Sequence, residues 1–451
     1  MNRHRISTGP CFYLLIAAAS TLILHSPFAW GQTTRGEGFD LQLELGFEYR
    51  DNPLRTDPRG PSDTFLVPRA TFNLFRLGAL WEARGAGFVE YNHSLEDTVS
   101  DEFRANLAAV VDRELTPGLW WTFQNVARVE HVDLLAAETV DNRQQTNVFI
   151  TGPSWEIRPR SAWGGRVDAR FLNSHAEDTD EFNSNRLGLS GAVVRRFDAN
   201  REVSLGAEFT EVWFTDDGEN NFDYQRHDLV ARYDSTQARL ELNLAGGFTR
   251  IEPDLGSSLS EPLARIRAIW TADERRSIQA LAVYELTDSV RHLANELDQI
   301  DVPFVGGGRL PVGAELFQLS SVEVGWHQRL DGFRWSVTPY YHDYDFKRVQ
   351  GSDFDELGVN VTATFNLTRL MSVRTFLRSE RRKFSAQDRR DTDSRASVFL
   401  NRRFTPRWSG RIGAVRHQRD SNVEGADNRE NMVMAYVVVP GHPGNRANFL
   451  P

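Results

Sequence analysis

Residues 39–50 place an apolar side chain at every odd position: Phe39, Leu41, Leu43, Leu45, Phe47 and Tyr49. The even positions between them are polar or Gly. Successive side chains of a β-strand point to opposite faces, so this stretch has one apolar face and one wet face. Soluble strands run about five or six residues, whereas a tilted strand crossing the hydrocarbon of a bilayer needs about nine to eleven. Period and length together confine the chain to long strands with one greasy side.

The pattern returns in about twenty segments. After 39–50 they fall at 63–75, 79–93, 102–115, 119–132, 144–156, 163–174, 184–197, 202–214, 222–235, 238–250, 262–271 and 277–287. They resume at 314–328, 333–345, 354–366, 371–384, 394–404, 408–419 and 429–439. Gly152 and Pro153 make 144–156 a poor strand, and 408–419 is only weakly apolar. Short turns such as 76–78, 116–118 and 405–407 alternate with longer polar loops such as 51–62, 133–143, 288–313 and 385–393. In an antiparallel meander this puts every short turn on one rim and every long loop on the other. The expectation is all-β: one large transmembrane up-and-down β-barrel of about 20 strands, 18–20 being the range, with short periplasmic turns and longer extracellular loops. Aromatic pairs near segment ends (Trp120-Trp121, Trp213-Phe214, Tyr340-Tyr341) and Trp408 are expected at the membrane interfaces.

Composition removes the competing classes. Hydrophobic residues make up 40% of the chain, and no stretch after the N-terminus approaches a spanning apolar helix. The first 31 residues read as a secretory signal: Arg3 and Arg5, an apolar run from Phe12 to Leu24, Pro27, then Ala29-Trp30-Gly31 before Gln32. The expected organisation is signal peptide 1–31, barrel 32–439 and C-terminal tail 440–451. Cys11 is the only cysteine and lies inside the signal, which leaves no thiol for disulfides, thiolate metal sites or cysteine catalysis. With 62 acidic residues against 52 basic ones, nucleic acid is not an expected partner. Lys347 and Lys383 are the only lysines; the remaining basic charge is Arg, which forms planar bidentate pairs with carboxylates.

Short motifs at both ends resemble a known family. Arg389-Arg390-Asp391-Thr392-Asp393, Phe404-Thr405-Pro406-Arg407-Trp408, Gln418-Arg419-Asp420-Ser421-Asn422 and the segment from Asn428 to Val439 resemble outer-membrane β-barrel porins associated with bacterial exopolysaccharide and exosortase systems. Tyr49-Arg50-Asp51-Asn52 followed by Ser62-Asp63-Thr64 is similar to that family's opening. The resemblance implies an outer-membrane barrel working near polysaccharide secretion and offers no catalytic residue. The chain does not end on the terminal aromatic common in barrels, so Tyr436 in an internal signal, or a tucked-back tail, is the expected substitute.

Candidate site residues lie on the wet faces. Arg84, Glu90, Arg104, Arg128, Glu130, Arg166, Asp168, Arg170, Arg265, Arg267, Arg334, Arg374, Arg378 and Arg411 are expected to line the lumen. A charge on the lipid face would cost about 2–4 kcal/mol at the midplane. They form either a selectivity field for anionic or sugar solutes or an internal salt-bridge network. The longest loop, 288–313, holds Phe304, Gly306, Gly307, Gly308 and Arg309 and is a candidate constriction; no phosphate-loop Lys follows its glycines. Asp216 to Asn221 is rich in hard oxygens but lacks a calcium loop's closing carboxylate. His93-Ser94 and Asn173-Ser174-His175 sit near strand ends, but adjacent residues of an extended strand point opposite ways, so His93 and Ser94 cannot form a dyad; the other histidines lie singly, and an enzyme, a cofactor and a metal are not expected. Expected partners are outer-membrane lipid, the barrel assembly machinery, and polysaccharide or small solutes.

Overall fold

The computed structural model describes residues 38–56, 59–158, 161–216, 223–296, 312–347 and 353–440. Outside the described residues lie the signal segment 1–31, the tail beyond Pro440, the calcium-loop candidates from Asp217 onward, and Phe304, Gly306, Gly307, Gly308 and Arg309.

The described chain is one closed antiparallel sheet of 20 strands. In order these are β1 (Gly38–Arg50), β2 (Asp63–Leu77), β3 (Trp81–Ser94), β4 (Glu102–Thr116), β5 (Leu119–His131), β6 (Arg143–Ile157), β7 (Trp163–Ala176), β8 (Ser184–Asp198), β9 (Arg201–Phe214) and β10 (Tyr224–Thr236). They continue as β11 (Leu240–Pro253), β12 (Leu259–Asp273), β13 (Arg276–Asp288), β14 (Leu316–Leu330), β15 (Phe333–Phe346), β16 (Phe354–Thr368), β17 (Met371–Phe384), β18 (Arg389–Thr405), β19 (Trp408–Ser421) and β20 (Asn428–Pro440). One short helix, α1 (Ser289–Glu296), follows β13. Each strand pairs with its sequence neighbours, and β1 pairs with β20 from Gln42↔Pro440 to Arg50↔Met432, closing the ring. One rim has only connections of two to five residues; the other carries the longer loops, together with the short connections 254–258 and 385–388.

The period-2 pattern sets which face is which. In β1 Leu43, Leu45, Phe47 and Tyr49 are exposed outward, while Gln42, Glu44 and Glu48 are buried inward. The outward residues of every strand continue this apolar band. Eight of the eleven tryptophans stand on outward faces near the short-turn rim: Trp81, Trp121, Trp155, Trp163, Trp270, Trp326, Trp335 and Trp408. An amphipathic ring at this height suits a membrane–water interface. Alternation splits the aromatic pairs expected at the interfaces. Trp213 and Tyr341 are outward, but their neighbours Phe214 and Tyr340 turn inward; Phe214 packs near Tyr224 and Tyr340 donates to Glu380 at 2.9 Å. Tyr436 is also inward, buried, and bonded to Glu48.

Two features depart from the sequence reading. The loop expected at 385–393 is a tight connection over 385–388, because β18 begins at Arg389. Its upper end has charge on both faces, so no apolar alternation marks it. The wall also peels apart at two seams. The β4–β5 ladder stops at Leu107↔Ala127, and the β12–β13 ladder stops at Ala264↔Tyr284. Beyond those points the β5–β6 and β13–β14 hairpins lean into the lumen, and residues 316–319 are buried at every position.

Leu43→Arg should prevent folding, at about 2–4 kcal/mol for a charge moved into lipid. Alternation alone puts Glu44 on the wet face, where Glu44→Arg would be accepted; because Glu44 is buried, 2.8 Å from Arg411 and bonded to Gln42, we expect it to be rejected instead. We expect both variants to lose the folded, heat-sensitive gel form in detergent, and Glu44→Gln to keep it.

Candidate functional site

All fourteen charges proposed for the lumen fall on the inward set of their strands. Many meet carboxylates across the wall. Glu90 joins Arg69 and Arg104. Arg166 reaches Glu156 at 3.3 Å, and Arg170 reaches Asp168 at 3.3 Å. Arg267 meets Glu241 at 2.7 Å, Arg265 meets Glu285, and Arg378 meets Glu380. Arg128 and Glu130 are buried on the part of β5 that leans inward. Arg84, Arg334 and Arg374 stand lower, toward the short-turn rim, and are half-buried.

The lumen has two unlike halves. Inward side chains near the short-turn rim are mostly half-buried or exposed. Near the long-loop rim they are buried: Arg226, Arg382 and Glu356 are at most 1% exposed. Two elements fill that half.

The first is a strap formed by 132–142, between β5 and β6. Asn142 closes its neck, donating to Asp133 O at 2.7 Å and Ala137 O at 2.9 Å, while its Oδ1 accepts from Asp133 N at 2.8 Å. From there the strap crosses to the opposite wall. Three consecutive carbonyls accept from three arginines on three consecutive strands: Leu134 O from Arg382 at 3.4 Å, Leu135 O from Arg389 at 2.7 Å, and Ala136 O from Arg419 at 2.8 Å. Each arginine is oriented by a carboxylate. Asp393 takes Arg382 and, at 3.0 Å, Arg419; Asp391 takes Arg389 at 3.0 Å. Leu134 and Leu135 pack on Phe317, Phe346, Phe354 and Phe384. Arg55, from the β1–β2 loop, reaches both Glu138 of the strap at 3.0 Å and Glu430 of β20 at 2.9 Å. Burial would weaken the Arg55 charge, but Glu430 and Glu138 reverse that and hold its pKa above the ordinary arginine value.

The second is α1. The Asp288 carboxylate caps it, accepting from Val290 N at 3.0 Å and Arg291 N at 3.1 Å. The same group is held by Tyr224 of β10 at 2.6 Å and Arg186 of β8 at 2.8 Å. Val290 and Leu293, one turn apart, pack on Ala108, Val126, Val148, Ile150 and Phe182. Arg291 spans to Glu208 at 3.0 Å and Asp228 at 2.9 Å. Of loop 288–313, the described helix α1 packs inside the lumen, while the residues expected to form a constriction lie outside the described residues.

The strap was not recognisable as a site in the sequence, where 133–143 reads as a polar loop. The motifs behind the family resemblance turn out to build its clamp: Arg389, Asp391 and Asp393 on one strand, Arg419 and Ser421 on the next, with Ser421 donating to Asp391 at 2.7 Å. His93 turns outward onto Asp101 at 2.9 Å, and Ser94 inward onto Asp63 at 2.5 Å. Among the described residues no group of His, Cys, Asp and Glu is arranged to hold a metal ion.

Each clamp bond is charge-assisted and worth about 1.5–3 kcal/mol where buried. The double variant Arg389→Gln/Arg419→Gln should free the strap while the ring stays paired. Limited proteolysis is expected to cut within 132–142 at least tenfold faster, with no change in the heat needed to unfold the barrel on a gel.

No family model and no curated protein matches this chain. Solved structures align with most of the chain at low identity. The siderophore receptor PirA from Pseudomonas aeruginosa is 13% identical, over 90% of this chain and 81% of that one, with a TM-score of 0.43. The siderophore receptor PiuA from Acinetobacter baumannii is 10% identical over 91% and 82%, with a TM-score of 0.44. PirA from Acinetobacter baumannii is 8% identical over 91% and 81%, with a TM-score of 0.46. No residue role is taken from them.

Proposed function

We propose that this chain is a transport barrel of the bacterial outer membrane whose hydrophilic passage is closed at rest from the long-loop side. The short-turn rim faces the periplasm and the long loops face outward, the arrangement of bacterial outer-membrane barrels. The supporting observation is the asymmetry of the lumen: a wet, charged vestibule at one end, and at the other a strap and a helix tied across it by buried arginines. A permanently filled barrel needs no open vestibule, and an open pore needs no cross-lumen clamp. Signal 1–31 would direct export, 32–439 would form the barrel, and 440–451 would follow it as a tail. Lipid and the assembly machinery are the partners such a chain requires.

The solute class follows from the wall. Arg, Asn, Ser and Thr suit hydrated, hydroxyl-rich or anionic molecules better than apolar ones. The motif resemblance adds exopolysaccharide export to the proposal. The second reading is a non-conducting barrel that assembles with a surface-polysaccharide apparatus; the depth of the clamp favours it, since Arg382 and Asp391 are fully buried.

Planar-bilayer recording separates the two. We expect purified wild-type protein to be mostly closed, and removal of 289–313 or the double variant Arg389→Gln/Arg419→Gln to give stable steps of current. Folded protein that stays silent in all three forms would replace the channel with the assembly barrel.

A further inference from the structure

The lumen arginines are not equivalent. On most of the wall they meet carboxylates, as at Arg69 and Arg104 with Glu90, or Arg267 with Glu241. From β14 round to β19 the wall changes. Below Glu323, Glu356, Glu380 and Asp393, the inward positions of these six strands contain no Asp or Glu. Arg334 on β15 and Arg374 on β17 project there, and among the described residues neither makes an ion pair; Arg395 on β18 lies higher, where Glu138 and Glu430 act on it. Arg411 on β19 is tied to Glu44 at 2.8 Å and Asn401 at 2.9 Å. The charges acting on Arg374 are Arg411 and Arg334, both of its own sign.

The positions between these arginines are uncharged and mostly polar, with Phe399 beside Arg374 in the register as the apolar exception. Thr364 sits between Arg334 and Arg374 in the register, Ser336 and Thr362 share a hydroxyl bond of 2.7 Å, and Asn401 faces Arg411. Like charges held together without a counter-ion destabilise one another, and each free guanidinium keeps its planar fork of donors. Both deficits are removed by one kind of guest, a group with two or three coplanar or tetrahedral oxygens and negative charge. The surrounding hydroxyls and amides suit a hydrated carrier of that group. The sector lies in the wet half, below the strap and helix.

We propose that the β15–β19 sector of the vestibule, centred on Arg334 and Arg374, is a binding site for an oxyanion-bearing hydrophilic solute entering from the short-turn rim. This deepens the transport reading by naming the chemistry of the guest, and it rests on that reading for its purpose. Its test is binding, so a silent channel does not decide it.

Full-length protein in detergent is titrated calorimetrically with three probes: inorganic phosphate, an oligogalacturonate and a neutral malto-oligosaccharide of equal length. Wild-type protein should bind an anionic probe and not the neutral one. Arg334→Gln/Arg374→Gln should weaken that binding at least tenfold, and Arg334→Lys/Arg374→Lys should restore part of it. Arg267→Gln, on the paired wall, should leave it unchanged. Phosphate that binds alone and displaces the oligomer identifies a free-oxyanion site; binding of the oligomer without phosphate identifies an acidic saccharide. Equal affinity for the neutral probe, no binding of either anion, or equal loss in Arg267→Gln overturns the proposal.

Discussion

Hydrocarbon offers a backbone nothing to bond with, and this ring depends on that constraint before any other. Every N–H and C=O at membrane depth must find a partner inside the sheet, so the sheet has to close. The closing contact is β1 against β20, shorter than the β1–β2 ladder beside it. Side chains extend the closure toward the long-loop rim. Asp51 takes both the N–H and the amide of Asn431 at 2.7 Å, and Asn52 donates to Arg429 O at 2.9 Å. The first and last strands are thus locked where the ladder between them ends.

Filling one half of the lumen works against the same constraint. When the β5–β6 and β13–β14 hairpins lean inward, their outer neighbours β4 and β12 lose ladder partners. The β4 seam is repaired by one side chain: the Gln145 amide accepts from Ala105 N at 2.9 Å and donates to Ala105 O at 3.0 Å, as a peptide group would. Arg143 adds an ion pair to Glu102 at 2.9 Å. On the other hairpin, Arg226 donates to Leu286 O at 2.7 Å. Buried polar groups without partners are expensive, so these bonds are conditions for the lean rather than ornaments upon it.

The wall was legible in the sequence because its signal is local. Leu43 and Glu44 disclose their faces within a few neighbours, and the number of strands follows from counting such stretches. The upper end of β18 was not legible, because Arg389, Asp391 and Asp393 alternate with Arg390 and Thr392 and leave no hydrophobic contrast. The strap was hidden for a different reason. Leu135 and Arg389 are 254 residues apart, and Ala136 and Arg419 are 283 apart. Their bonds fall on backbone carbonyls, which every residue has, so nothing in Leu135 or Ala136 announces them. The charges at the site could be read; which were spoken for could not, since pairing depends on which strands lie side by side at which height.

That difference explains why the wall uses arginine almost exclusively. Arg389 places Nε on Asp391 and Nη2 on Leu135 O, and Arg419 divides itself in the same way between Asp393 and Ala136 O. A planar fork can be aimed by one partner while it grips another; an ammonium is a point charge with no such division. The two lysines stand elsewhere: Lys383 points outward beside Arg390 in the register, and Lys347 lies just past the end of β15. In the clamp, carboxylates aim the forks at the chain's own backbone. At Arg334 and Arg374 in the β15–β19 sector the same forks meet no carboxylate of the wall, and what they can grip there must come from solution.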